Sequence, residues 1–312
     1  MATTRQLCVI SGKGGTGKTT VSASLAVLAP RPAIFADCDV DAANLHLALR
    51  ARELERIPFS SGLIARIDEN QCILCGSCME ACRFGGVQIQ DDHYWIDPMR
   101  CEGCLTCTIV CPEDAIETEK AETGEVLLSD TDYGTLVHAR LRPGSESSGK
   151  LVMAVREKAR VHAQQENAQV IVIDGAPGIG CPVIATLSGV DLALLVAEPT
   201  PAGAQGLDRA LRVAEHFGVP AVACLNRADL SSRQADAIAR DLAARNVPLL
   251  ARIPFHRSVV EATALMRPAV EVAAAPVRAE LKSLAQQVYE RLLACPCAGD
   301  SPSRPGSCST CS

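Results

Sequence analysis

Short runs of consecutive apolar residues recur along the chain, each closed by a polar residue. Residues 7–10 (LCVI), 33–36 (AIFA, then Asp37), 170–173 (VIVI, then Asp174) and 221–225 (AVACL, then Asn226) have strand length and no internal alternation. Strands that are apolar at every position are buried on both faces, so they predict a parallel sheet with helices on both sides. Residues 21–28 (VSASLAVL) supply such a helix directly after the first strand. Farther on, residues 231–245 read as a charged helix with a solvated face and 277–293 as an amphipathic one. In an open sheet of this kind ligands bind beyond the carboxyl ends of the strands, where Asp37, Asp39, Asp174 and Asn226 all fall. Residues 64–120 break the pattern; they are polar and cysteine-rich, and they leave the sheet and return to it.

The chain has 312 residues, 48% hydrophobic and 21% charged, enough for two globular domains. With only 3% aromatic residues, Ala, Val, Leu and Ile must fill the core. A net charge of −6 gives no positive field for a polyanion, and scarce rings give few stacking platforms, so nucleic acid is not an expected partner. The start, MATTRQLCVI, carries no basic leader or apolar targeting segment, and no apolar stretch reaches the ~20 residues of a spanning helix. A cytoplasmic protein without stable membrane insertion is expected. Its 16 cysteines suit thiolate ligands better than disulfides.

Eight of them form two runs, Cys72, Cys75, Cys78, Cys82 and Cys101, Cys104, Cys107, Cys111, each C-x2-C-x2-C-x3-C and related by a constant offset of 29. Ile67 and Asp68 recur at the same offset as Ile96 and Asp97, which marks an internal duplication. Three cysteines at two-residue gaps let one tight loop aim three sulfurs at an iron-sulfur cubane, while the fourth reaches the neighbouring cluster. Zinc knuckles favour separate C-x2-C pairs. The runs resemble the bacterial two-cluster ferredoxin family. The resemblance implies a small α+β insertion with two 4Fe-4S clusters, one on Cys72, Cys75, Cys78 and Cys111, the other on Cys101, Cys104, Cys107 and Cys82. Pro112 follows the second run, but Arg83 stands where the first would have proline.

Between the first strand and its helix, residues 11–20 read SGKGGTGKTT, a complete G-x-x-x-x-G-K-[ST] loop. Gly12, Gly14, Gly15 and Gly17 let backbone N–H groups, with Thr16 and Thr20, wrap phosphates; Lys18 reaches the β/γ-phosphates, and Thr19 is placed to ligate Mg²⁺. A second lysine, Lys13, lies just inside the loop.

That doubled lysine resembles the deviant P-loop of the MinD and nitrogenase iron protein superfamily, and the other strand ends follow in the family's order. The resemblance implies ATP as ligand and a dimer, with a second copy or a paralogous ATPase, in which Lys13 crosses to the partner's phosphates. It implies that Asp39 orients the attacking water, that Asp37 sits near the metal, that Asp174 holds Mg²⁺ through water and that Asn226 contacts the base. With the cysteine-rich segment included, the domains are 1–63 and 121–294 for the P-loop ATPase, 64–120 for the ferredoxin-like insertion and 295–312 for a tail. The combination resembles ATPases of that superfamily with an inserted ferredoxin domain.

Cys181 lies where the nitrogenase iron protein carries one of its two cluster cysteines, but the second is missing from SESSGKLV. A homodimer would bring two thiolates to its seam where four are needed, so the insertion is the better electron route. A lone cysteine is more commonly a small buried residue, and Cys8, Cys38 and Cys224, in or beside apolar strands, read as core. Residues 144–150 (GSESSGK) read as a switch loop or a surface turn. Cys295, Cys297, Cys308 and Cys311 in the tail could bind zinc, a cluster or nothing. The 277–293 helix, mixed in charge, has the character of a docking helix. The six histidines show no metal-binding spacing.

The expected function is a Mg²⁺-dependent ATPase coupling nucleotide state to electron transfer, with a redox partner. The alternatives are an ATPase that assembles or carries metallocofactors for an apo-metalloprotein, and a non-catalytic nucleotide-switched electron carrier.

Overall fold

The computed structural model describes residues 4–145 and 148–294. Strands β1 (Arg5–Ser11), β2 (Ala33–Asp37), β3 (Arg52–Ile67), β4 (Val87–Gln90), β5 (His93–Ile96), β6 (Ile116–Thr131), β7 (Gly134–Leu141), β8 (Val170–Pro177), β9 (Leu192–Ala197), β10 (Ala221–Asn226) and β11 (Leu249–Ile253) follow in chain order. The helices are α1 (Lys18–Val27), α2 (Leu45–Ala48), α3 (Ser77–Ala81), α4 (Thr106–Val110), α5 (Ser148–Gln165), α6 (Cys181–Leu187), α7 (Pro201–His216), α8 (Ser232–Ala244), α9 (Arg257–Ala264), α10 (Ala269–Val272) and α11 (Ala275–Ala294). Nine strands form one sheet in the order β11-β10-β9-β1-β8-β2-β7-β6-β3. From β11 to β7 every pairing is parallel, the mainly parallel α/β architecture expected of the apolar runs.

Contacts divide the chain into two units, Met1–Ile57 with Val126–Arg140 and Ser148–Ser312, and Pro58–Glu125 with Leu141–Ser147. In the first, β1, β2, β8 and β9 are apolar and buried almost throughout, because helices cover both faces of the sheet. Ala, Val, Leu and Ile dominate its core, as the low aromatic content requires, with Phe35 and Tyr289 as large exceptions. The apolar face of α11, including Leu281, Leu284, Val288 and Leu292, lies in this core, and Tyr289 Oη donates to the Leu25 carbonyl at 2.6 Å. The helix read from its charges as a docking helix therefore docks on its own chain. Cys8, Cys38 and Cys224 are fully buried, whereas Cys181, at the start of α6, is exposed. Gly149 and Lys150, read as loop, lie in the first turn of α5. The tail cysteines are outside the described residues. Among the described residues, no helix is long and apolar enough to cross a membrane.

In the second unit β4 and β5 pair antiparallel around Asp91 and Asp92, both left-handed, which is the backbone of a tight two-residue hairpin. Its core is small: Ala65, Ile67, Cys78, Val87 and Ile116, with Cys72, Cys82, Cys101, Cys107 and Cys111 packed against it.

Candidate active site

The phosphate-binding loop leaves β1 at Ser11 and enters α1 at Lys18. Two of its glycines have steric reasons. A Cβ on Gly12 would lie 1.9 Å from the Gly206 carbonyl oxygen of α7. Gly17 is left-handed (φ 87°), and a Cβ there would meet Asn226 Nδ2 at 2.1 Å. The loop is thus clamped between α7 and the end of β10, and Asn226 Nδ2 donates to the Thr16 carbonyl at 2.8 Å.

Lys18 is buried and its Nζ lies 2.8 Å from Asp174 Oδ1 and 3.4 Å from Asp39 Oδ2. Burial opposes its charge, yet Asp174, Asp39 and Asp37 together hold its pKa above the ordinary lysine value. Ser22, one turn into α1, donates its hydroxyl to Asp174 Oδ1 at 2.7 Å. The sheet register sets Asp37 directly opposite Asp174 across β2 and β8. Burial, then the nearby Asp174, raises Asp37 to about 7, against the pull of Lys18 and two backbone N–H groups. Its oxygens accept from the N–H groups of Asp39 (3.1 Å), Asn44 (3.1 Å) and Leu45 (3.0 Å). Asp37 therefore holds the following loop and the start of α2 in shape. Burial also raises the pKa of Asp39, which remains more open than Asp37 or Asp174.

Two buried oxygens in this pocket have no protein partner, Asp174 Oδ2 and Thr16 Oγ1. A buried carboxylate oxygen left unpaired beside a phosphate loop is the donor chemistry that hydrated Mg²⁺ satisfies, so the residues fit the metal. Thr19, half-buried as the second residue of α1, stands at the position expected for a Mg²⁺ ligand.

Sequence reading missed two further groups. Glu198, the first residue after β9, receives Lys13 Nζ at 3.0 Å. Arg227, immediately after Asn226, donates to the other oxygen of Glu198. Their position at strand ends was a usable signal.

In the second unit the duplication is a structural repeat. Leu74 and Gly76 are left-handed in the first half, Gly103 and Leu105 at the matching positions of the second. Asp68 N–H donates to the Ala115 carbonyl and Asp97 N–H to the Gly86 carbonyl, each at 2.8 Å, so the halves tie to each other reciprocally. Gly86 N–H points to Cys82 Sγ at 3.2 Å and Ala115 N–H to Cys111 Sγ at 3.3 Å. One cavity is lined by Cys72, Cys75, Cys78 and Cys111, with Ile67, Tyr94 and Ile116. A second is lined by Cys101, Cys104, Cys107 and Cys82, with Phe84, Val87 and Ile96. Three sulfurs come from one run and the fourth from the other in both. The Ser77 and Thr106 hydroxyls lower the Cys75 and Cys104 thiols, burial raises Cys78 and Cys107, and around Cys82 backbone N–H groups outweigh burial and favour thiolate. Among the described residues no three His, Cys, Asp or Glu side chains are gathered to hold a single metal ion.

The model of the CobQ/CobB/MinD/ParA nucleotide binding domain matches residues 7–269. The chain belongs to this nucleotide-binding family. Solved structures that share its fold include the cell division ATPase MinD of Pyrococcus furiosus, at 20% identity and a TM-score of 0.55, and a ParA family ATPase of Chlorobium tepidum, at 16% and 0.53. The chain is 34% identical over 216 residues to the uncharacterized protein MJ0578 of Methanocaldococcus jannaschii, covering 69% of this chain and 75% of that one. It is 27% identical over 228 residues to MJ0579 of the same organism, covering 72% and 81%. The septum site-determining protein MinD of Pyrococcus horikoshii, solved with Mg-ADP, shares the fold with a TM-score of 0.56 at 20% identity, over 92% of this chain and 96% of that one.

Proposed function

We propose that this member of the CobQ/CobB/MinD/ParA family is a Mg²⁺-dependent ATPase that acts as a dimer and couples its nucleotide state to electron transfer through two 4Fe-4S clusters. For hydrolysis, the supporting observation is the convergence of Lys18, Asp39 and Asp174 at the carboxyl ends of adjacent strands. Phosphoryl transfer asks mainly for positioning and charge neutralisation. The glycine loop wraps the phosphates with N–H groups, and Lys18 leaves its carboxylates to pair with β/γ-oxygens. Thr19 and Asp174 hold the metal, with Asp37 shaping the adjoining loop. Asp39, freed of Lys18, faces the attacking water, and Asn226 turns its amide from Thr16 to the base. Lys13 reaches the partner's phosphates. The partner is a second copy or a paralogous ATPase, a choice kept open by the presence of two related chains in one organism.

For electron transfer, the observation that carries the reading is the pair of cavities, each lined by three cysteines of one run and the fourth of the other. Cys72, Cys75, Cys78 and Cys111 would hold one cluster, Cys101, Cys104, Cys107 and Cys82 the other. Bound there, each cluster supplies one-electron transfer at low potential. The chain's own residues shield the sulfurs with apolar side chains and direct N–H groups at Cys82 and Cys111.

Protein purified without oxygen should contain iron and sulfide, give a cluster EPR signal on reduction and hydrolyse MgATP. Electron delivery to an acceptor should be faster with MgATP than with a non-hydrolysable analogue. Equal rates with the two nucleotides would remove the coupling, and iron-free protein the electron-transfer half.

A further inference from the structure

We infer that Glu198 is a positioning residue that holds Lys13 within its own protomer and thereby sets how readily two ATP-loaded protomers close. This rests on the reading of Lys13 as a lysine acting across a dimer. Glu198 is the first residue after β9, the strand flanked by β1 and β10. Its carboxylate is buried and has a cation on each side: Lys13 of the phosphate loop at 3.0 Å, and Arg227 beyond the end of β10.

The two cations are not equivalent. Arg227 is fixed at its backbone, left-handed (φ 52°), with its N–H donating to Asn226 Oδ1 at 3.0 Å, and Asn226 is itself bonded to Thr16. Lys13 is anchored at its carbonyl, which accepts from Ser11 Oγ at 2.8 Å, so the asymmetry lies in the backbone and not in exposure, the two side chains being 32% (Lys13) and 41% (Arg227) exposed. A buried carboxylate stripped of its only partner is strongly destabilising. Because Arg227 stays, Lys13 leaves Glu198 without stranding the charge, and the cost falls to that of one partly exposed ion pair. A triphosphate carries more negative charge than one carboxylate and outcompetes it for the ammonium. The hold is strong enough to bias the lysine inward and weak enough for ATP on a facing protomer to release it. The charged partners facing Lys13 and Glu198 also link the base-contacting end of the site to the lysine, through Asn226 and Arg227.

The test is sedimentation velocity of the full chain across protein concentrations with MgATP, together with ATPase activity across the same range, for four variants. Glu198→Gln keeps the shape and an acceptor for Arg227 but removes the charge. Its half-point for dimerisation should fall about tenfold, with higher specific activity in dilute protein and a turnover number at saturating protein within about twofold of the parent. Arg227→Gln leaves Lys13 as the sole partner of Glu198 and should move the half-point the other way. Lys13→Ala should weaken dimerisation and hydrolysis, and adding Glu198→Gln to it should change nothing further. An unchanged or raised half-point in a folded Glu198→Gln protein overturns the inference. If that variant fails to fold, an unshifted or lowered half-point in Arg227→Gln does so. A Lys13→Ala protein that dimerises and hydrolyses like the parent removes the reading beneath it instead, and an additive effect in the double variant means that Glu198 acts otherwise than through Lys13.

Discussion

The two units hold their candidate sites in opposite ways. In the nucleotide unit the reactive groups sit at the rim of a large core of Phe35, Leu7, Val172, Leu194, Leu284 and their neighbours, none of which takes part in the chemistry. In the cysteine unit the candidate ligands are the core: all but Cys75 and Cys104 lie in or against its few apolar residues. The first site decorates a fold that stands by hydrophobic burial. The second unit has little apolar mass of its own, and ligands must be deprotonated and gathered when a metal centre binds, so on the proposed reading cluster binding and folding would be one event there.

The sharpest way to break this contrast is Lys18→Ala. Loss of the cation that bridges Asp39 and Asp174 should reduce ATP hydrolysis by more than about a hundredfold while iron content stays unchanged, as read by parallel ATPase and iron assays. An iron loss matching the activity loss would mean that the units do not carry their chemistry separately. Conversely, Cys111→Ser should remove about half of the bound iron and leave residues 58–125 open to proteolysis, with MgATP hydrolysis by the rest of the chain within about twofold.

His138 sharpens the comparison on the nucleotide side. It is buried, stacked on His46 at 5.1 Å between ring centroids and bonded to Ser129 Oγ at 2.9 Å. Burial, then His46 and Arg140, lowers it to about 4, with Glu53 pulling the other way. A histidine whose folded value lies below its unfolded value takes up protons on unfolding, so stability is full above about 6.5 and drains away as the pH falls toward 4. The contribution is about 3 kcal/mol, and His138→Gln should flatten that part of the pH dependence of thermal unfolding. The smallest effect expected is from Tyr289→Phe. It leaves the Leu25 carbonyl without its side-chain donor and should cost about 1 kcal/mol of stability, read by denaturant unfolding, with iron content unmoved.

Much of this was visible in the linear chain. Strands β1, β2, β8 and β10, helices α8 and α11, the phosphate loop and the core positions of Cys8, Cys38 and Cys224 follow from apolar runs, glycines and spacing. Other features required the third dimension. Asp37 reads as a metal-side carboxylate, yet its oxygens are taken by three backbone N–H groups of a loop whose path no periodicity records. The charged face of α11 suggested a docking surface, but its apolar face, matched to α1 of its own chain, decided where it went. Exposure of Cys181 follows from its place at the start of α6, after a loop rather than in a strand.

By itself the sequence determined the inventory: one phosphate-binding loop, two fourfold cysteine runs and a set of polar residues at strand ends. Each of these depends on spacing over a few residues, which local backbone geometry reads directly. Tertiary structure alone decided who meets whom. Lys18 pairs with a carboxylate 156 positions away, and Lys13 turns to Glu198, because the sheet interleaves β9, β1, β8 and β2 in an order unrelated to their order in the chain. The physical reason is that contacts across a parallel sheet are set by which strands hydrogen-bond side by side and in what register, and no local pattern of residues encodes either.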